Sequence, residues 1–256
     1  MSDIASQNTG QIAVIVGGGP GISASCTRIF TRAGMRVALA ARNSDKPVLK
    51  EMAANHGARI YPCDASDPAA VSSLFALIQQ DLGTPKLVVH NIDGRPAGTR
   101  RVPIAEVDPA AVLATLVNSA YSAFLVGQQA ARLMLAQAPD ARGHRGTIVY
   151  TNASAALKGF PKSGAFAMAC HAKSGLAQSL ARELMPEGIH VVNIPIDGAI
   201  GWTQADGSRS HRLAGTTVDD NMLDPEHIAA LYLQLHNQHR STWACEVALR
   251  PWVEKW

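Results

Sequence analysis

The sequence predicts an α/β fold, a single domain built on a doubly wound parallel sheet. Three observations lead there. A short apolar run, Ile12 to Val16, is followed by a glycine turn, Gly17 to Gly21, and then by helical periodicity from Ser23 to Gly34. Further short apolar runs recur, separated by stretches of helical length. At 256 residues and 47% hydrophobic content, the chain matches one such domain with ample core material.

The elements follow in order. Ile12–Val16 reads as a buried parallel strand, and the glycine turn opens a helix whose free N–H groups suit a pyrophosphate. Arg36 to Ala41 is the second strand. An acidic residue at its end would hold ribose hydroxyls, but the chain has Ala41 and then Arg42. A guanidinium binds a 2′-phosphate that a carboxylate would repel, so Arg42 points to NADP(H); otherwise it is a solvated surface charge. Lys46 to His56 is a helix, Ala58 to Asp64 a third strand, and Pro68 to Leu82 a helix capped by Ser66 or Asp67. Pro85 to Asn91 is the fourth strand, and Asp93-Gly94 a turn. Gly94 to Pro103 carries Arg95, Arg100 and Arg101, a solvated face or a contact for an anionic substrate. Asp108 caps a long helix to Ala136, in which a mid-helix Asn118 suggests a specific hydrogen-bonding role. Gly146 to Ser154 is the fifth strand, Ala165 to Met185 a helix, and Gly188 to Ile196 the sixth strand. Residues 201–222 read as a substrate lid, Asp224 caps a last helix to about His236, and 244–256 reads as a final strand and apolar tail.

Composition sets further bounds. A formal charge of +3, evenly spread, gives no argument for nucleic acid or a membrane surface. No apolar run is expected to approach membrane-spanning length, and the first residues show no basic-then-apolar leader. The four cysteines are scattered, with no CxxC pair or Cys/His cluster for zinc. Together these lead to the expectation of a cytoplasmic protein with reduced thiols.

The glycine turn, with Gly17 and Gly21 four apart, resembles TGxxxGxG, the loop of the short-chain dehydrogenase/reductase family. Val16 stands where that motif has Thr, and Ser23 where it has its last Gly. The resemblance extends over nearly the whole chain. It implies a Rossmann-like fold, an NADP(H) cofactor, a small-molecule substrate and a homodimer or homotetramer. By the same resemblance, Gly17, Pro20, Gly21 and Ile22 surround the pyrophosphate and Asp64 and Ala65 meet adenine. Asn91 braces the cofactor loop, and Ile196, Gly198 and Ile200 close on the nicotinamide.

The family's chemistry uses Ser, Tyr and Lys, the last two as YxxxK on one helix face. Lys173 fits the lysine, which implies catalytic roles for Lys173, for Ser154 and, through a water chain, for Asn118. Four residues before Lys173 stands Ala169, which has no hydroxyl. Ser154 precedes Ala169 by fifteen residues, where the family has about thirteen. Tyr121, Tyr150, His171 and His211 are candidate substitutes for the phenol; Tyr150 reads as core, His171 should turn away from Lys173, and Ser154 with an ordered water is the most economical proton route. Three functions remain open: an NADP(H)-dependent oxidoreductase with a non-standard proton donor, a redox-neutral enzyme on the same fold, or an NADP-binding protein without catalysis.

Overall fold

The computed structural model describes residues 8–201, 208 and 221–254. Six strands form one parallel sheet in the order β3-β2-β1-β4-β5-β6. They are β1 (Ile12–Val16), β2 (Arg36–Ala41), β3 (Arg59–Pro62), β4 (Pro85–His90), β5 (Gly146–Ala153) and β6 (Ile189–Ile196). Registers such as Ala13↔Val37 and Leu87↔Thr147 keep the strand ends level, so the loops after β1, β4, β5 and β6 meet along one edge. The order reverses between β1 and β4, the switch point where α/β sheets form a crevice.

Helices cover both faces. On one side lie α1 (Ile22–Arg32), α2 (Pro47–His56) and α7 (Pro225–His236), packed on Ile15, Leu39, Val89 and Val192. On the other lie α3 (Pro68–Asp81), α5 (Ser122–Ala136) and α6 (Gly164–Leu184), packed on Val14, Val88, Ile148 and Val191. Side chains from every strand reach both layers, which is why most strands read as continuous apolar runs. Burying a Leu, Ile or Val in such a layer contributes about 1.5–3 kcal/mol. Asp67, Asp108 and Asp224 each cap a helix with Pro at its first position.

The long central helix is not regular. A helix α4 (Pro109–Leu116) passes through a π turn, Val117–Tyr121, into α5. By length and composition this 28-residue run, with an 18-residue window of mean hydropathy 1.6, is apolar enough to cross a membrane. Polar residues such as Asn118, Gln128 and Arg132 interrupt it in sequence, so it does not read as one apolar run. Ala123, Val126, Ala130 and Met134 turn one side of it into the core.

The expected final strand is a broken one. Residues 245–249 run parallel to β6, with Asn193 N–H donating to the Cys245 carbonyl and Val247 N–H to that of Asn193. Leu249 and Asp197 continue the ladder at 2.9 and 2.7 Å. The missing rung falls at Pro195, which has no N–H to give. The proposed lid, 201–222, lies almost wholly outside the described residues, as does His211. Its two ends are stapled, Leu223 N–H donating to Ala199 and Gly201 N–H to Leu223.

Candidate active site

A cleft of about 930 Å³ opens along the edge where the strands end. Its cofactor end is the glycine turn. Gly17 sits at φ +109°, and a Cβ there would fall into the Asn91 carbonyl, so only glycine lets β4 close on the turn. The N–H groups of Gly17 and Gly18 both donate to the Ala40 carbonyl at 2.9 Å. Pro20 and Gly21 complete the turn, and α1 starts at Ile22 with no side-chain cap, leaving its N-terminal dipole available to an anion. Ser23 explains its own departure from the motif. Its hydroxyl donates to the Gly17 carbonyl at 2.8 Å and accepts from the Asn91 amide at 2.7 Å, tying turn, helix and β4 together.

At the end of β2, Arg42 is exposed. Lys46, which the sequence reading did not single out, donates its Nζ to the Gly18 carbonyl at 3.0 Å. Lys46 therefore stands beside the glycine turn, and Arg42 follows directly on the end of β2. Asp64 accepts from the hydroxyl and the N–H of Ser66, which hold its carboxyl below the usual carboxylate range, and Arg42 adds to this. Asp67, not Ser66, caps α3. Ala65 is buried behind Asp64.

The catalytic wall differs from the expectation in register. The i, i+4 pair of α6 that lines the cleft is Phe166 and Cys170. Ala169 is fully buried and does not line it, so the position expected to carry the phenol is not a cleft position. Thirteen residues before Phe166 stands Ala153, which also lines the cleft beside Ser154. Counting from the end of β5 rather than back from the lysine would have found this register. No tyrosine lines the cleft among the described residues. Tyr121 is exposed and stacks on Phe124 at 6.2 Å, so it is not a donor to this site. Tyr150 is core, its hydroxyl donating to the Ala123 carbonyl, and His171 faces solvent.

Lys173 lies deeper, 2% exposed, and still lines the cleft. Its ammonium donates to the Ile92 carbonyl at 3.1 Å and the Thr151 carbonyl at 3.2 Å, pinning the ends of β4 and β5. Burial lowers its pKa from 10.5 to about 8, against smaller opposing effects of Cys170 and Asp93. Burial pushes the Cys170 thiol up to about 11, so it is protonated near neutrality. Asn118 does not join this group. It lies in the π turn, its carbonyl accepting from Ser122 at 2.6 Å, with Gly94 packed on its backbone and no place in the cleft wall.

The outer end is charged. Asp93 is gripped by Arg95 at 2.5 and 2.6 Å and by Arg100 at 3.2 Å. Burial raises its pKa, but the bonds and charges of the two arginines outweigh that and hold it low. Asp197 is buried and bonded to Arg250 at 2.7 Å and Lys158 at 3.3 Å. Ile196, Gly198 and Ile200 line this side, and a Cβ on Gly198 would meet Pro251 at 2.6 Å.

A family model described as Enoyl-(Acyl carrier protein) reductase matches residues 2–247. The chain is 24% identical over 184 residues to "Short chain aldehyde dehydrogenase 1" of Euphorbia lathyris, covering 71% of this chain and 61% of that protein. It is 27% identical over 200 residues to "2,5-dichloro-2,5-cyclohexadiene-1,4-diol dehydrogenase" of Sphingobium indicum, covering 78% and 75%. A solved short-chain dehydrogenase from Rhodopseudomonas palustris superposes with a TM-score of 0.74 at 28% identity, covering 95% of this chain and 99% of that one. With its parallel sheet, glycine turn and cleft at the switch point, the chain belongs to the short-chain dehydrogenase/reductase family.

Proposed function

We propose that this protein is an NADP(H)-dependent oxidoreductase acting on a small carbonyl or alcohol, imine or activated alkene, with Lys173 as its proton donor. The observation that carries the reading is Lys173 itself: an ammonium in the cleft, pinned by two carbonyls, with a pKa of about 8. Two of its three N–H groups are used, which leaves one for a substrate oxygen. A group poised there can give or take a proton near neutrality. The dinucleotide, when bound, supplies or accepts the hydride. The residues present fit it: the uncapped α1 N-terminus and the glycine turn for the pyrophosphate, Lys46 and Arg42 for the 2′-phosphate, Asp64 for adenine. Ser154 and Asn91 keep supporting places, Ser154 in the cleft wall and Asn91 through Ser23.

The test is purified protein with NADPH and a panel of ketones, imines and enones, read by cofactor oxidation and product mass. Oxidation with a product two hydrogens heavier is expected. A product of unchanged mass, or one lacking water, with no oxidation would replace this reading by a redox-neutral enzyme.

A homodimer or homotetramer belongs to the same proposal. Its support in the apolar tail is partial: Trp243 stacks on His190 at 4.8 Å inside the chain, while Trp252 is 75% exposed. The outer face of the long helices adds to it, where Leu113 and Phe124 are 62% and 39% exposed. Light scattering should show a smaller species for Phe124→Glu than for the wild type.

A further inference from the structure

We propose that the outer end of the cleft recognises an oxyanion, a carboxylate or phosphate group carried by the substrate, through Arg101 and Lys162. The inference rests on the cleft being the catalytic site and names its substrate class. Among the described residues, five cationic side chains and three carboxylates line the cleft. Most of the cations have partners. Arg95 and Arg100 share Asp93, and Lys158 and Arg250, just outside the lining, hold Asp197. Lys158 also reaches Glu254 at 3.7 Å, so every cleft carboxylate among the described residues is taken. Lys173 is held by carbonyls. Among the described residues, Arg101 and Lys162 alone of the cleft's cations have no ion pair or hydrogen bond.

Their backbone sets them apart a second time. Both sit at φ +60°, and they are the only non-glycine residues with positive φ among the described residues. A side chain in that conformation is strained, and nine glycines show what the chain uses elsewhere for positive φ. The two positions lie on different loops, after β4 and before α6, and both loops open onto the same cleft. Neither strain is explained by packing, because both side chains are exposed. Strain that gains nothing for the fold and places unpartnered cations at a cleft fits a ligand of opposite charge. Asp93 does not quench them, because its two oxygens are already committed to Arg95 and Arg100.

The experiment titrates the NADPH-saturated protein with 4-oxopentanoate, its methyl ester and inorganic phosphate, following amide shifts by NMR. Saturation with NADPH is established first, so its failure strikes the cofactor reading and not this one. The acid or phosphate should give saturable shifts at residues 93–101 and 160–163, and the ester should not. Response to the acid alone assigns a carboxylate, and response to phosphate alone assigns a phosphate group. Arg101→Gly and Lys162→Gly should each weaken that binding about tenfold, the loss of one charge-assisted hydrogen bond, with melting temperature unchanged or raised because glycine accepts φ +60°. No saturable shift with either anion, equal binding of acid and ester, or binding that survives both substitutions would overturn the proposal.

Discussion

The guanidinium of Arg95 lies 3.7 Å above the centroid of the Phe166 ring while its N–H groups fork onto Asp93. The ring is thereby fixed as a wall of the cleft, on the face of α6 where the family presents its tyrosine. A cation over an aromatic face contributes about 0.5–2 kcal/mol, so this arrangement is a stable one.

It follows that Phe166→Tyr with Cys170→Lys and Ala153→Ser should introduce or raise carbonyl reductase activity, read as NADPH oxidation with a ketone. Ala169→Tyr should not. Ala169 has no exposed surface, and forcing a phenol there should cost about 1–3 kcal/mol of stability in a denaturant melt.

Lys173 makes stability depend on alkaline pH. Its folded pKa of about 8 is below the 10.5 of the unfolded chain, so the unfolded state binds more protons between those values. Stability should rise as pH climbs from 8 to 10.5, and the full cost, about 3 kcal/mol, applies below pH 8. Urea melts across that range should show the rise in the wild type and lose it in Lys173→Met, which should also lose turnover.

Lys46 and Arg42 should set cofactor preference. Lys46→Ala and Arg42→Ala should each raise the NADPH Kd about tenfold and leave the NADH Kd nearly unchanged, as fluorescence titration would show. Equal effects on both would assign the two cations to the surface alone.

At the far end of the sheet, Thr147 Oγ1 lies 3.1 Å from His144 Nε2 and 2.9 Å from His236 Nδ1, and His236 Nε2 lies 2.8 Å from Gln11. This chain closes with both imidazoles neutral, each link having one donor. Burial lowers the His144 pKa from 6.5 to about 4 and that of His236 well below its usual value. The unfolded chain binds the protons first, so stability should fall as pH drops from 6.5 towards 4. Thermal melts at stepped pH would show it, and His144→Asn should flatten the slope.

Most of the fold is legible in the chain. The apolar runs become the six strands because helices cover both sides of the sheet, and the Asp-Pro pairs mark three helix starts. The cofactor loop is legible because a glycine such as Gly17 answers a local backbone demand. The catalytic wall is less so. Lys173 fits the lysine of YxxxK, yet a three-residue change of register decides which neighbours share its cleft, and burial decides that. Lys46 and Lys162 carry no motif; Lys46 acquires meaning only from the Gly18 carbonyl it meets and Lys162 from its φ of +60°. Pro195, not any weakness of the tail's own pattern, interrupts the last strand.

Asp197 ties the tail to the wall of the cleft. One carboxylate joins Arg250 of the tail to Lys158 beyond β5, and its own N–H donates to Leu249. A ligand seated in the cleft beside Gly198 should therefore be felt by a segment tens of residues away in sequence. Amide exchange at Val247 and Leu249, whose N–H groups bond to β6, becomes a built-in reporter of cleft occupancy, readable without labelling the cleft itself.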